Sequence, residues 1–165
     1  MIKPYLRAPA LVRTWVVSSS LFLAGTVNAQ QFSIAAGAID ACAGVLEDTG
    51  GPSGQYGNNE NHTVVICPTN PGDGISLQWA VFNLSTAGAP NTWDQVSIWD
   101  GNSTGATFLG SYTGIQLSGL TVSATTFNPT GCLTVRFTSN NAGTGDFAAS
   151  ISCITPCDRP TAVAV

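Results

Sequence analysis

The clearest hydrophobic pattern in the chain lies at residues 93–101, which read WDQVSIWDG. Val96 and Ile98 alternate with polar neighbours, the two-residue period of a strand that is buried on one face. Asp94 shares the parity of these apolar residues, so we expect its carboxylate to point toward the core at the start of the strand. The Asp-Gly pair at the end predicts a turn, because glycine tolerates positive φ angles. The segment therefore predicts a strand that opens with a buried acid.

Similar alternation recurs along the chain and predicts about nine short strands separated by turns. Trp79 and Phe82 lie on opposite parities of one apolar run, a slip that is typical of a β-bulge. No helix of useful length is indicated, and glycine-rich polar segments join the runs. The pattern predicts an all-β, two-layer sandwich. The predicted strands are residues 31–36, 42–47, 62–67, 75–84, 94–100, 107–112, 121–127, 132–138 and 146–153.

Residues 1–29 have the features of a secretory signal peptide. Basic residues precede a short apolar stretch, and the small residues at 27–29 (VNA) suit a signal peptidase. We therefore predict a secreted or cell-surface protein with no membrane insertion after cleavage. Residues 30–155 are expected to form the folded domain, and residues 156–165 a linker or the start of a further module.

The predicted mature part is strongly acidic. It keeps two basic residues, Arg136 and Arg159, against nine acidic residues, which gives a formal charge of −7. Such a surface repels the phosphate backbone of nucleic acids and anionic lipid headgroups. The composition therefore argues against nucleic acid as a partner.

The five cysteines all lie in the predicted exported part, where disulfides persist. Their spacings do not match zinc-binding pairs, so bridges are expected. The sequence does not fix the connectivity. Pairing of neighbours, Cys42 with Cys67 and Cys132 with Cys153, would close loops worth about 3 kcal/mol each and would leave Cys157 over for a partner outside these residues.

The order and spacing of several sequence blocks resemble a CUB domain over about residues 39–153. The resemblance is to the glycine-rich and asparagine-rich variety found in large secreted bacterial surface proteins. It implies a CUB-like jelly-roll sandwich of two antiparallel sheets that binds proteins or glycans and has no catalytic centre. The family's usual second bridge lacks its cysteines here, and the resemblance implies that Cys132 and Cys153 replace it. The matching blocks are EDTGGPSGQYGNNE, ISLQWAVFNL, DQVSIWDG, GCLTVRFTSN and GDFAASISC.

Many CUB domains bind calcium through a glutamate, two aspartates and a supporting tyrosine. The resemblance assigns Tyr56 to the tyrosine position and Asp94 to one aspartate, but it puts Ser85 in place of the glutamate and Asn140 in place of the second aspartate. Calcium affinity rises with the number of carboxylate ligands. A single carboxylate predicts a weak calcium site or no cofactor, and Asp94 would then bond backbone amides at the rim of the sandwich.

Catalytic motifs are absent from the sequence. His62 is the single histidine, and no segment resembles a nucleophile elbow. Glu47 and Asp48 are adjacent, so they would point to opposite faces of a strand and make poor catalytic partners. Trp93 and Trp99 are candidates for exposed aromatic contacts with a glycan, although both could instead cover a sheet edge.

These observations favour a non-catalytic extracellular interaction or adhesion module that binds protein or carbohydrate and forms part of a larger protein. Two alternatives stay open from the sequence. One is a structural spacer in a surface filament, and the other is an accessory domain of a secreted hydrolase.

Overall fold

The structure, a computed structural model, describes residues 29–89 and 91–162. The predicted signal peptide lies outside these residues except for its last position. Two short 3-10 helices cover Ile34–Ala36 and Gly51–Ser53. Within the described residues, no helix has both the length and the apolar character needed to cross a bilayer. The strands are β1 (Gln31–Ser33), β2 (Ala38–Asp40), β3 (Ala43–Glu47), β4 (Asn61–Cys67), β5 (Gly74–Asn83), β6 (Gln95–Asp100), β7 (Thr107–Tyr112), β8 (Thr121–Ser123), β9 (Leu133–Thr138) and β10 (Asp146–Ile154).

The ten strands form two five-stranded sheets, which confirms the predicted all-β sandwich. The first sheet has the order β1-β3-β10-β5-β8, and the second has the order β2-β4-β9-β6-β7. Each sheet is antiparallel apart from one parallel pair at its edge, β1 with β3 and β2 with β4. The sheets are therefore mixed, and the count is one strand higher than expected. The extra strand is β2, whose three residues are too few to show an alternating pattern.

The predicted bulge lies in β5. Trp79 pairs with Ala149, whereas Val81 pairs with Ala148, so Ala80 is an extra residue between them. The bulge shifts the alternation of side chains by one residue, so both Trp79 and Phe82 point into the core. Both side chains are buried.

An aromatic cluster fills the core at the end of the sandwich where β6 begins. The Tyr56 and Phe137 ring centroids lie 4.6 Å apart, and Phe137 also packs edge-on against Phe147 at 5.2 Å. Trp79 joins through Phe147 at 6.0 Å. These tilted arrangements are the preferred geometry of aromatic pairs. The cluster gives Tyr56 a fixed position beneath the loops that carry the candidate site.

The four expected cysteines form two disulfides, but the pairing by sequence neighbours is wrong. Cys42 bonds Cys153, and Cys67 bonds Cys132. Cys42 lies just before β3, which pairs with β10, the strand that holds Cys153. Cys67 ends β4, which pairs with β9, and Cys132 directly precedes β9. Each bridge therefore joins adjacent strands of one sheet, a proximity set by strand order rather than by sequence separation.

The observed pairing also agrees with the face of its strand to which each cysteine belongs. Cys132 and Cys153 belong to opposite faces of their strands, so they do not replace the family's second bridge with a bond to each other. Cys157 is exposed and has no disulfide partner among the described residues.

The segment after β10 packs against the sandwich through a buried arginine. The Arg159 guanidinium donates to the backbone carbonyls of Thr125 and Asn128 and to that of Gly72 at 3.4 Å. Both terminal nitrogens of the guanidinium thus bind carbonyl oxygens, whereas its Nε is buried without a hydrogen-bond partner among the described residues. The described part of residues 156–165 therefore contacts the domain. The division into a domain at 30–155 and a linker or further module after it stays a prediction.

Candidate functional site

Four residues identified from the sequence meet at one end of the sandwich and form the Asp94 cluster: Tyr56, Ser85, Asp94 and Asn140. Asp94 directly precedes β6 and is fully buried. Its Oδ2 accepts a hydrogen bond from the Tyr56 hydroxyl at 2.9 Å, and its Oδ1 accepts one from the Asn140 backbone N–H at 2.8 Å. The Tyr56 oxygen in turn accepts a bond from the Ser85 backbone N–H at 2.7 Å. Protein donors therefore satisfy the buried carboxylate.

The phenol of Tyr56 stays protonated in this setting. Burial raises the pKa of Tyr56 well above its ordinary value, and the neighbouring Asp94 carboxylate raises it further. Both causes disfavour a second negative charge beside Asp94. The Tyr56 hydroxyl therefore serves as a permanent donor to the carboxylate.

Asn140 fastens the loop between β5 and β6 to the rest of the domain. Its Nδ2 donates to the carbonyl oxygens of Ala87, at 2.8 Å, and Thr92, at 2.6 Å. Its Oδ1 accepts from the Ala142 backbone N–H at 2.7 Å. Since the first two partners are acceptors, the amide nitrogen must face them. Asn140 thus cross-links two points of the loop, a role that an aspartate could not fill.

The oxygen atoms of the Asp94 cluster do not fit a calcium ion. Calcium takes six to eight oxygen ligands, several of them carboxylates. Here one carboxylate is present, and both of its oxygens already accept hydrogen bonds. The Ser85 hydroxyl oxygen accepts from the Ala87 N–H at 3.2 Å. Asn140 directs its amide nitrogen, a donor, toward the loop carbonyls. Hydrogen bonds within the protein therefore occupy the oxygen atoms of the cluster that a calcium ion would need.

We expect calcium to leave the stability of this domain unchanged. A site with a Kd of about 1 mM would add about 1.4 kcal/mol at about 10 mM calcium, which thermal unfolding detects easily. The matched variant is S85E/N140D, which restores three carboxylates and should gain a melting-temperature increase with calcium. A calcium-dependent increase in the unmodified domain that Asp94→Ala removes would contradict this expectation.

The two candidate tryptophans do not form one surface. Trp93 is 40% exposed and lies just before β6, beside Tyr112 of β7. Trp99 lies toward the other end of β6, about 20 Å along the strand at about 3.3 Å per residue. Its ring is half-buried and packs on Phe108 at 5.4 Å. Trp99 therefore contributes to covering a sheet face, and Trp93 is the one that adjoins a cleft.

One half of the sandwich has no exposed charge. Residues 74–135 contain two charged side chains, Asp94 and Asp100, and both are buried. Asp100 accepts hydrogen bonds from Thr125 and Asn128. We call this stretch, which supplies β5 to β8, the neutral half. Among the described residues, the large apolar side chains that are exposed all lie in it: Val81, Trp93, Phe108, Ile115, Leu120 and Phe127.

A group of three carboxylates borders the neutral half beside Val81, and the sequence indicated only two of them. Glu47, Asp48 and Asp146 line an open cleft of about 160 Å³. Asp48 accepts hydrogen bonds from the N–H groups of Gly50, at 2.7 Å, and Phe147, at 2.9 Å. Asp146 could not be grouped with Asp48 from the sequence, because the two residues come together only through the pairing of β10 with β3. Asp48 has a structural role, since both of its oxygens hold backbone groups.

Two of these carboxyl groups should titrate above their ordinary values. Burial raises the pKa of Asp48, with a smaller contribution from the Asp146 charge, and it raises the pKa of Glu47, with a contribution from Asp48. The folded state then binds these protons more tightly than the unfolded state. Their contribution to stability is therefore greatest below pH 3.8 and is lost as the pH rises through the folded-state values. Carboxyl NMR titration checks this, and midpoints at or below 3.8 for Asp48 and 4.5 for Glu47 would contradict it.

Comparisons with solved structures give similar folds at low sequence identity. The extracellular region of zebrafish Gpr126/Adgrg6 matches 72% of this chain with 18% identity and a TM-score of 0.58, over 14% of its own length. The CUB1-EGF-CUB2 domain of human MASP-1/3 matches 71% with 18% identity and a TM-score of 0.55, over 41% of its length. The MASP-1 CUB2 domain bound to Ca²⁺ matches 72% with 16% identity and a TM-score of 0.54, over 98% of its length. No protein-family model matches the chain, and no curated protein matches it.

The sandwich and these neighbours define a CUB-like domain. The chain spans less than half the length of the first two structures. At such low sequence identity, the structural matches establish the fold alone. The calcium bound by the MASP-1 CUB2 domain is a property of that domain. The site in this chain is the hydrogen-bonded Asp94 cluster.

Proposed function

We propose that this domain is a non-catalytic extracellular interaction module that contacts its partner through the neutral half. The observation that carries the proposal is the concentration of exposed apolar side chains in a stretch without exposed charge. Ile115 is 71% exposed and Phe127 is 80% exposed, although side chains of this size are usually covered. Several side chains of this kind within one half of the sandwich make that half the candidate contact surface, since exposed apolar patches on soluble proteins mark interaction sites.

The distribution of charge supports the same surface. In the predicted mature chain, the charged residues outside residues 74–135 lie on the strands β2, β3, β9 and β10, in the loops between strands, and in the segment after β10. A partner that approaches the neutral half away from Val81, which borders the three carboxylates, need not desolvate a charge, which would cost free energy on binding. The disulfides and the CUB-like fold agree with an extracellular setting.

The test compares two pairs of added charges. A fluorescent, tetrameric form of the domain is applied to cells of the source organism, and binding is measured by flow cytometry. Ile115 follows the end of β7 that pairs with the start of β6, whereas Phe127 lies near Asp100 at the other end of β6. The variant I115D/F127D therefore places one carboxylate at each end of the neutral half and should lose binding about tenfold or more. The control Q31D/A35D adds the same charge at exposed positions on β1 and the adjacent 3-10 helix and should bind normally. Equal binding by both variants, or no binding by the unmodified tetramer, would favour a structural spacer instead.

A further inference from the structure

An open cleft of about 160 Å³ lies where the loop before β6 meets the end of β7. Every side chain that lines it can form hydrogen bonds, and none carries a charge. Two are aromatic, two are amides and two are hydroxyls. Such a lining pairs apolar ring faces with neutral donors and acceptors on the same wall. The lining residues are Asn91, Trp93, Gln95, Ser111, Tyr112 and Thr113.

Several of these groups have hydrogen-bonding capacity to spare. Among the described residues, the amides of Asn91 and Gln95 have no hydrogen-bond partner, and both side chains are exposed. The Thr113 hydroxyl is buried without a partner. An exposed amide offers both donors and an acceptor, which the hydroxyl groups of a ligand can pair. The cleft therefore favours a ligand that is rich in hydroxyl groups.

The charge of the surroundings narrows the class of ligand. A cationic ligand would find no carboxylate in the lining, and an anionic ligand would meet a domain with a formal charge of −7 and no basic side chain in the cleft. A purely apolar ligand would cover the amides of Asn91 and Gln95 and leave them unpaired. A pyranose sugar has a C–H face for the exposed Trp93 ring and hydroxyls for the amides.

We propose that this cleft binds a pyranose unit of a neutral oligosaccharide. The proposal rests on the proposed function and names the partner class for one end of the neutral half. Trp93 supplies the stacking face, and Asn91 and Gln95 supply the neutral donors and acceptors that bond the sugar hydroxyls.

The Asp94 cluster holds this cleft in shape before a ligand arrives. Asn140 bonds the carbonyl of Thr92, the residue between Asn91 and Trp93. Asn91 has a φ of 69°, in the left-handed region that asparagine tolerates better than most residues. Preorganisation of a binding loop lowers the entropy lost on binding. Sugar binding is accordingly expected without calcium.

The test uses saturation-transfer NMR and calorimetry with glucose, galactose, mannose and N-acetylglucosamine oligosaccharides, each beside a sialylated or sulfated counterpart. Neutral probes should bind in the millimolar range or tighter, with and without a calcium chelator. Trp93→Ala should weaken binding about tenfold or more. Gln95→Ala removes the amide at an exposed position, where little stability is lost, and should weaken binding about threefold to tenfold. Trp99→Ala removes a tryptophan at the far end of β6 and serves as the matched control, with affinity unchanged.

Three outcomes would overturn the proposal. They are no saturation transfer from any neutral probe to the folded domain, equal or stronger binding of the anionic counterparts, and binding that survives both Trp93→Ala and Gln95→Ala. If neutral probes fail while the tetramer still binds cells in a manner that I115D/F127D abolishes, the cleft proposal falls and the interaction function stands with a protein partner. If the neutral probes do not bind and the tetramer does not bind cells, the proposed interaction function is contradicted as well.

Discussion

Replacing Cys42 and Cys153 together by alanine is expected to lower the free energy of unfolding by about 4–5 kcal/mol. The bridge joins residues 111 positions apart. Because the Cys67–Cys132 bridge inside this loop stays closed, the loss frees the segments 42–67 and 132–153 in the unfolded state. The entropy of loop closure grows with the logarithm of the enclosed length. For a domain of this size, the melting temperature should fall by about 10–20 °C. Urea unfolding followed by tryptophan fluorescence measures the change.

The chain offers its own control for this experiment. Cys157→Ala removes an exposed cysteine without a disulfide partner and should change stability by less than about 0.5 kcal/mol. Peptide mapping without reduction tests the connectivity directly. A peptide pair linked through Cys42 and Cys67 would show that the sheet order described above is wrong, since those residues lie at different sheets.

How much the sequence could predict depended on the range of each interaction. Alternation within single segments predicted nine of the ten strands and the β5 bulge, because side-chain parity is a local property. The disulfide pairing was not local. It follows from the positions of β9 and β10 in their sheets, and strand order is invisible to a pattern that is scanned along the chain.

The Asp94 cluster shows the same limit at the level of a site. The four residues Tyr56, Ser85, Asp94 and Asn140 lie together because three of them stand within two residues of a strand end and the hydroxyl of Tyr56 reaches them from the loop before β4. The resemblance could not show what the atoms of Asn140 do. The choice between metal ligand and loop cross-link depends on the two carbonyl oxygens, of Ala87 and Thr92, that the folded loop presents.

The cleft was only half visible in the sequence. Trp93 was identified as a candidate contact, but its neighbours Ser111, Tyr112 and Thr113 come from a different strand. They reach the cleft because β7 pairs antiparallel with β6, which sets Tyr112 opposite Val96. A run of neutral polar residues indicates nothing by itself, and it becomes a site only when pairing places it beside an exposed ring.

The second large effect is expected at Asp94. Asp94→Ala should lower the free energy of unfolding by about 3–5 kcal/mol, because it leaves the Tyr56 hydroxyl and the Asn140 backbone N–H buried without an acceptor. Hydrogen bonds to a charged acceptor are worth more than neutral ones. Asp94→Asn keeps the volume and one carbonyl oxygen and should cost about 1–3 kcal/mol. Asp40→Ala, which removes an exposed acid from the edge strand β2, is the control and should have little effect.

A double-mutant cycle with Tyr56→Phe separates the hydrogen bond from general damage to the core. If the two residues act together, Asp94→Ala should cost less in the Tyr56→Phe background than in the unmodified domain, with a coupling of about 1–2 kcal/mol. If the two substitutions change the free energy of unfolding additively, the hydrogen bond from the Tyr56 hydroxyl to the Asp94 carboxylate contributes no coupling energy to stability. Because the same cluster holds Thr92 next to Trp93, hydrogen exchange in the loop should rise with Asp94→Ala, and sugar affinity should fall with it. An Asp94→Ala domain that unfolds more easily but binds the neutral probes as before would separate the cluster from the cleft.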